Sequence, residues 1–331
     1  MPVRYPGRSL AQKASSSAIS SGRPCWQAEP FFALGGQNRQ AGGIGDRWVR
    51  TSVGTEIGGV AKVAVRLVAI GDSFTEGVGD EPAGGGPRGW ADLVAAGLAA
   101  HHHPDEVWYA NLAVRGRLLE PIVTEQLDAA LALDPKPTII TLNGGGNDMM
   151  RPGAGLARLT ALMAQAVDRC RQAGVTPVVL AGPDPSSRLP FGRTLHRRAA
   201  ELTETGAELA AAGGVQFVNI FADTEIREPR YWSEDRLHLG PLGHHRAASL
   251  VLAALGVPPT VAPSVVAAAG RSGFAAEANY YWRYVRPWVG RRLTGRSSGD
   301  GRGAKHQSWV LVEAPATRDP RPGLRPARDA P

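Results

Sequence analysis

Leu67-Val68-Ala69-Ile70-Gly71-Asp72-Ser73-Phe74-Thr75-Glu76-Gly77-Val78-Gly79 is the stretch from which the fold can be worked out. Its first four residues form a short apolar run with branched side chains, the pattern of a strand buried on both faces. The run stops at Gly71-Asp72-Ser73, and Gly77 and Gly79 keep the chain loose just beyond. A small hydroxyl residue at the C-terminal end of a buried strand stands where open α/β sheets place their ligands. Ser73 is therefore the candidate nucleophile.

Downstream, strand and helix patterns alternate. Strands are expected at Leu67–Ile70, Val107–Leu112, Thr138–Leu142, Val175–Ala181 and Val215–Ile220. Helical spacing runs from Trp90 to Leu98, Leu118 to Leu133, Leu156 to Ala173, Leu195 to Ala212 and Pro241 to Leu255. Gly174 fits a helix C-terminus and Pro241 a first helical turn. Five strands alternating with helices predict an α/β fold, a parallel sheet with helices on both faces. One three-layer domain over about residues 64–256 accounts for the pattern.

The flanks differ in composition. Residues 1–62 carry 8 basic and 3 acidic side chains, residues 63–256 carry 17 and 22, and residues 257–331 carry 12 and 5. The high pI thus describes the flanks, while the middle is mildly acidic. Residues 1–62 show no sustained period and are expected to be a disordered basic arm. Residues 257–294 hold aromatic and apolar residues at helical spacing (Tyr280, Tyr281, Tyr284, Val285, Trp288) among arginines. A helical extension folding back on the domain is expected there, with contact to a membrane surface or a partner as the alternative. Residues 295–331 are expected to be a disordered basic tail, and no specific nucleic-acid binding is expected.

No apolar run reaches the ~18 residues of a membrane span, and no secretory pattern is visible at the N-terminus, so a cytoplasmic location is expected. Cys25 and Cys170 form neither a disulfide framework nor a metal site, and Cys170 fits a small buried apolar residue. The run His101-His102-His103 points in several directions and suits a helix C-terminus better than a metal. Neither a metal nor a cofactor is expected.

The polar clusters after the strands should converge on one edge of the sheet. Ser73 needs a base. Asp235 and His238, three residues apart, can supply one, the carboxylate holding Nδ1–H and leaving Nε2 toward Ser73. Donors for an oxyanion are available from the Ser73 N–H, the Gly116 backbone and the Asn147 amide. Asp148 is expected to fix its turn, and Arg115 and Arg117 to be surface charges or, alternatively, to favour an acidic substrate. A phosphate- or flavin-binding module built on Ser73, Thr75 and Gly77 is the competing reading. It leaves Asp235, His238 and Asn147 without a role.

Gly71-Asp72-Ser73-Phe74, Gly116 five residues after Asn111, Gly145-Gly146-Asn147-Asp148 and Asp235-Arg236-Leu237-His238 resemble, in order and spacing, the successive blocks of the SGNH (GDSL-type) hydrolases. The resemblance covers about residues 65–255, with Phe74 where the name motif has Leu. It implies a flavodoxin-like α/β/α sandwich on a five-stranded parallel sheet, and serine-dependent hydrolysis of a small-molecule acyl ester. The implied roles are Ser73 as nucleophile, His238 as base, Asp235 as its partner, and Ser73, Gly116 and Asn147 as the oxyanion hole. Transfer of the acyl group to a sugar or metabolite hydroxyl is the alternative that keeps the same residues.

Overall fold

The computed structural model describes residues 64–259 and 278–314, apart from 84, 104, 152, 154, 190, 191, 288, 289, 291–293 and 295. The N-terminal arm expected over 1–62 lies outside the described residues, as does the stretch 315–331 of the expected tail.

Parallel strands β1 (Val65–Ile70), β2 (Val107–Asn111), β3 (Ile139–Leu142), β4 (Thr176–Ala181) and β5 (Gln216–Asn219) fall where the apolar runs are. They lie in the order β5-β4-β3-β1-β2, the flavodoxin-like arrangement. The expected count of five is corrected to six. Strand β6 (His306–Val312) pairs antiparallel with β2, inside the stretch expected to be a disordered tail. Its alternation His306, Ser308, Val310 against Gln307, Trp309, Leu311 is short and partly exposed, and it covers the β2 edge that would otherwise stay unpaired.

Helices α1 (Ser73–Glu76), α2 (Trp90–His102), α3 (Leu119–Pro121), α4 (Leu127–Leu131), α5 (Gly146–Met149), α6 (Leu156–Gln172), α7 (Gly192–Gly213) and α8 (Pro241–Ala254) connect the strands. Alternate β1 side chains face opposite layers, as the period of two requires. Leu67 and Ala69 pack with Trp90, Leu98, Val251 and Leu252 on one face. Val68 and Ile70 pack with Ile122, Leu127, Leu159 and Cys170 on the other. Cys170 is buried, and burial pushes its thiol up to about 11, so it behaves as an apolar residue. Among the described residues, no helix is long and apolar enough to cross a membrane.

Between α3 and α4 the helix carries a π-turn, Ile122–Gln126, where periodicity alone predicts an unbroken helix. The turn places Gln126 at the end of β1. Its Oε1 accepts from the Gly71 N–H at 2.8 Å and its Nε2 donates to the Gly71 carbonyl at 3.0 Å. A side-chain amide thus holds both backbone groups of Gly71, two residues before Ser73, and π-turns are frequent at functional sites.

His244, fully buried on α8, accepts from the Trp90 N–H at 3.2 Å through Nδ1 and pairs Nε2 with the Val78 carbonyl at 3.1 Å. Burial lowers its pKa to about 4. A histidine buried neutral stabilises the fold fully above its unfolded pKa of about 6.5 and loses that contribution as pH falls toward 4. Between pH 7 and pH 5 this costs about 2 kcal/mol. Urea unfolding should show a smaller pH dependence for His244→Gln than for the wild type over that interval, by about this amount.

The described part of the C-terminal extension packs on the domain. The Tyr284 hydroxyl donates to Glu234 Oε2 at 3.1 Å, and the Arg236 guanidinium lies 4.1 Å from the centre of the Tyr280 ring. Tyr281 and Trp282 face outward.

Candidate active site

Strand order reverses between β1 and β3, and the loops after these strands form the centre of the site. Asp72 begins α1, its Oδ1 accepting from the Phe74 N–H at 3.1 Å. Ser73 is the first residue of that helical turn, so its N–H has no partner within the helix. Phe74 stacks between the Trp90 and His244 rings, with centroids 5.5 and 6.1 Å away, and fixes the turn from below. The phosphate-cradle reading of this loop meets a packing obstacle. Added Cβ atoms at Gly77 and Gly79 would lie 2.4 Å from the Arg88 carbonyl and 2.1 Å from the Leu239 carbonyl. Both glycines therefore pack closely against backbone carbonyls.

The same contact at Gly79 docks the loop carrying Asp235 and His238 against the Ser73 loop. A bridge between Trp232 and Leu239 and a Ser233 N–H to His238 carbonyl bond of 2.9 Å close that loop into a hairpin, with Arg236 left-handed (φ 59°) near its tip. Inside it, Asp235 Oδ1 accepts from the Ser233 hydroxyl at 2.6 Å, the Leu237 N–H at 3.0 Å and the His238 N–H at 2.9 Å. Asp235 Oδ2 lies 2.5 Å from His238 Nδ1. Burial alone would raise the Asp235 carboxyl. The hydrogen bond and charge of His238, with the backbone and Ser233 donors, outweigh burial and hold it well below the usual carboxylate range. An ionised Asp235 keeps the proton on Nδ1, and the lone pair of the neutral ring is then on Nε2, away from the carboxylate.

His238 is near enough to Asp72, the residue beside Ser73, for its charge to lower the Asp72 pKa. Burial nevertheless dominates there and pushes Asp72 up to about 6, with Asp148 adding to the rise. Asp72 Oδ2 accepts from the Asn147 amide at 3.1 Å, and the second hydrogen of that amide goes to the Arg117 carbonyl at 3.0 Å. Asn147 thus joins the loops after β1, β2 and β3. Asp148 accepts from the Leu119 N–H at 2.9 Å and ties the β3 loop to the start of α3.

Gly116 adopts φ +76°, a backbone region that favours glycine, in the turn after β2. Arg115 beside it is neither a surface charge nor free for an acidic substrate. Its guanidinium pairs with the buried Glu76 at 2.6 Å, and its N–H donates to Glu76 Oε2 at 2.7 Å. Arg117 lies 3.5 Å from Glu125 in an exposed pair.

Local sequence assigns no supporting role to Asp72, Glu76, Arg115 or Gln126. The one local signal was the placement of Asp72 before a helical turn, an N-cap pattern. A second Asp–His pair also went unseen, because its members are twelve residues apart. Asp184 Oδ2 lies 2.6 Å from His196 Nδ1, and this pair ties the β4 loop to α7. Among the described residues no group of three or more His, Cys, Asp or Glu side chains is placed to hold a metal ion.

A profile of the GDSL-like lipase/acylhydrolase family matches residues 69–246. No match was found among curated sequences. Among solved structures, a catalytic mutant of Axe2, an acetylxylan esterase from Geobacillus stearothermophilus, is similar at 18% identity and TM-score 0.50, covering 60% of this chain and 99% of its own. TesA matches at 22% identity and TM-score 0.48, over 57% of this chain and 97% of its own. The psychrotrophic esterase EstA from Pseudoalteromonas sp. matches at 16% identity and TM-score 0.46, over 58% and 96%. The likeness to Axe2 concerns the fold, and the profile spans more than half of the chain. The chain therefore belongs to the GDSL-like lipase/acylhydrolase family.

Proposed function

We propose that the protein hydrolyses small acyl esters through a covalent acyl-enzyme on Ser73. The observation that carries this reading is the 2.5 Å contact between Asp235 and His238 Nδ1, in a hairpin docked against the Ser73 loop. In the forward step His238 Nε2 takes the Ser73 hydroxyl proton as Oγ bonds to the ester carbonyl carbon. The carbonyl oxygen becomes an oxyanion, received by the Ser73 N–H, the Gly116 backbone and the Asn147 amide. Collapse expels the alcohol, which takes the proton from His238. Water then attacks the acyl carbon with His238 again as base, the bond to Ser73 Oγ breaks as His238 returns the proton to that oxygen, and the carboxylic acid leaves.

Asn147 has both amide hydrogens donated in the free enzyme. Serving the oxyanion means exchanging one of them, and the bond to Asp72 is the one nearer the Ser73 turn. Asn147→Ala should lower kcat about 10²- to 10³-fold with little change in KM, as loss of one oxyanion donor does elsewhere. Steady-state kinetics on p-nitrophenyl acetate checks this.

The test of the reaction itself is product analysis. The purified chain is incubated with p-nitrophenyl acetate, butyrate and octanoate, with and without glycerol or xylose. Free acid equal to the p-nitrophenol released, whether or not an acceptor is present, is the expected result. Acylated acceptor in place of free acid would show a transferase instead.

A further inference from the structure

We infer that residues 297–305, beyond the stretch matched to the family, hold the Ser73 turn and the Gly116 loop in register, so that the site is incomplete without them. The inference rests on the reading of Ser73 and Gly116 given above.

Lys305 is the first support. Its ammonium is mostly buried, and all three hydrogens find acceptors: the Glu76 carbonyl at 2.9 Å, the Pro87 carbonyl at 2.8 Å and Asp92 Oδ2 at 2.6 Å. Glu76 ends the helical turn that Ser73 begins. Its carbonyl therefore receives Lys305 while its carboxylate receives the N–H and guanidinium of Arg115, the neighbour of Gly116. One residue thus connects the C-terminal segment, the nucleophile turn and the oxyanion loop. An ammonium desolvated to this degree is tolerable only where its hydrogen bonds are complete, which fixes the geometry of its acceptors.

The turn Ser297–Gly301 is the second support. It is closed internally, the Ser297 N–H donating to Asp300 Oδ2 at 2.8 Å and the Gly299 N–H to Ser297 Oγ at 3.2 Å. It lies directly on the Gly116 loop. A Cβ on Gly299 would be 2.1 Å from the Arg115 carbonyl, and one on Gly116 would be 2.2 Å from Ser297 Oγ. Only glycines allow so close an approach, one from each turn. An open cleft of about 400 Å³ between the two turns is lined by Gly116, Arg117, Leu118, Ser297 and Asp300. Strand β6 anchors the whole segment on β2, the strand from which the Gly116 loop departs.

These residues touch no reacting atom and act through Glu76, Arg115 and Gly116. The test compares Lys305→Met, Lys305→Arg, Gly299→Ala and Ser297→Ala in the full chain on p-nitrophenyl acetate. Rates are normalised to the sites titrated by a p-nitrophenyl phosphonate and measured well below each variant's Tm, so loss of folded protein does not enter. Misplacement of catalytic groups by about 1 Å costs on the order of 10²-fold. Lys305→Met and Gly299→Ala should therefore lower kcat per titrated site at least about tenfold with KM within about twofold. Lys305→Arg should fall between Lys305→Met and the wild type. Ser297→Ala removes a single hydroxyl and should show a smaller fall in kcat, readable even where Lys305→Met does not fold. Variants that melt earlier but keep the wild-type kcat per site would reduce the segment to a structural brace and overturn the inference. Wild-type activity in Ser73→Ala would instead overturn the catalytic reading beneath it.

Discussion

Ser73→Ala should lose about 10⁴-fold or more of kcat on p-nitrophenyl acetate while keeping its fold. The hydroxyl is the only group of residue 73 that the substitution removes. The Ser73 N–H stays at the start of the helical turn, and the capping bond from Phe74 N–H to Asp72 is untouched. Oxyanion donors and substrate binding therefore survive, and a residual rate of about 10³-fold over water is expected from them alone. A circular dichroism melt within a degree or two of the wild type, together with the collapsed rate, would place the loss in the chemistry. A Ser73→Ala enzyme with the wild-type rate would remove the acyl-enzyme from the mechanism.

Asp235→Asn should cost about 10⁴-fold in kcat, nearly as much, for a different reason. Asn can keep its oxygen at the Oδ1 position and so retain the bonds from Ser233, Leu237 and His238 N–H that close the hairpin. Its amide then faces His238 Nδ1 as a donor. The ring must accept there and carry its proton on Nε2, so it can no longer take the proton of Ser73. Asp235→Ala, by contrast, leaves those three donors without their acceptor and should also lower stability by about 1–3 kcal/mol. The pH dependence has a definite sign. Because the folded-state pKa of Asp235 is depressed, its stabilising contribution is present above the unfolded carboxylate pKa of about 3.9 and is lost as pH falls below it. Urea midpoints of the wild type should drop more steeply than those of Asp235→Asn between pH 5 and pH 3.

The elements of the domain were legible because each carries its own periodicity. β1 to β5 and helices α2, α3, α4, α6, α7 and α8 lie within a few residues of the apolar runs and 3.6-residue patterns that announce them, whereas the short helical turn α5 falls in a glycine-rich stretch with no such period. The candidate site residues were legible for a related reason, since loops after parallel strands must share one edge of the sheet. Strand β6 was not, because its partner is two hundred residues away and half of its side chains face solvent. A local pattern cannot show that a basic stretch contains a strand that covers an edge. The π-turn at Ile122–Gln126 was hidden too, because its cause is a contact between Gln126 and Gly71 rather than any local preference. Arg115 looked like a surface charge because its partner, Glu76, is 39 residues distant. What the sequence missed is in each case a long-range polar contact, and several of these surround the Ser73 turn.

Peptide mapping after inactivation with a p-nitrophenyl phosphonate locates the nucleophile, since the reagent phosphonylates only an activated one. One adduct per chain is expected, on the peptide carrying Ser73, absent from Ser73→Ala and formed much more slowly in His238→Ala. An adduct on another serine in step with the loss of activity, or full inactivation with Ser73 unmodified, would contradict it.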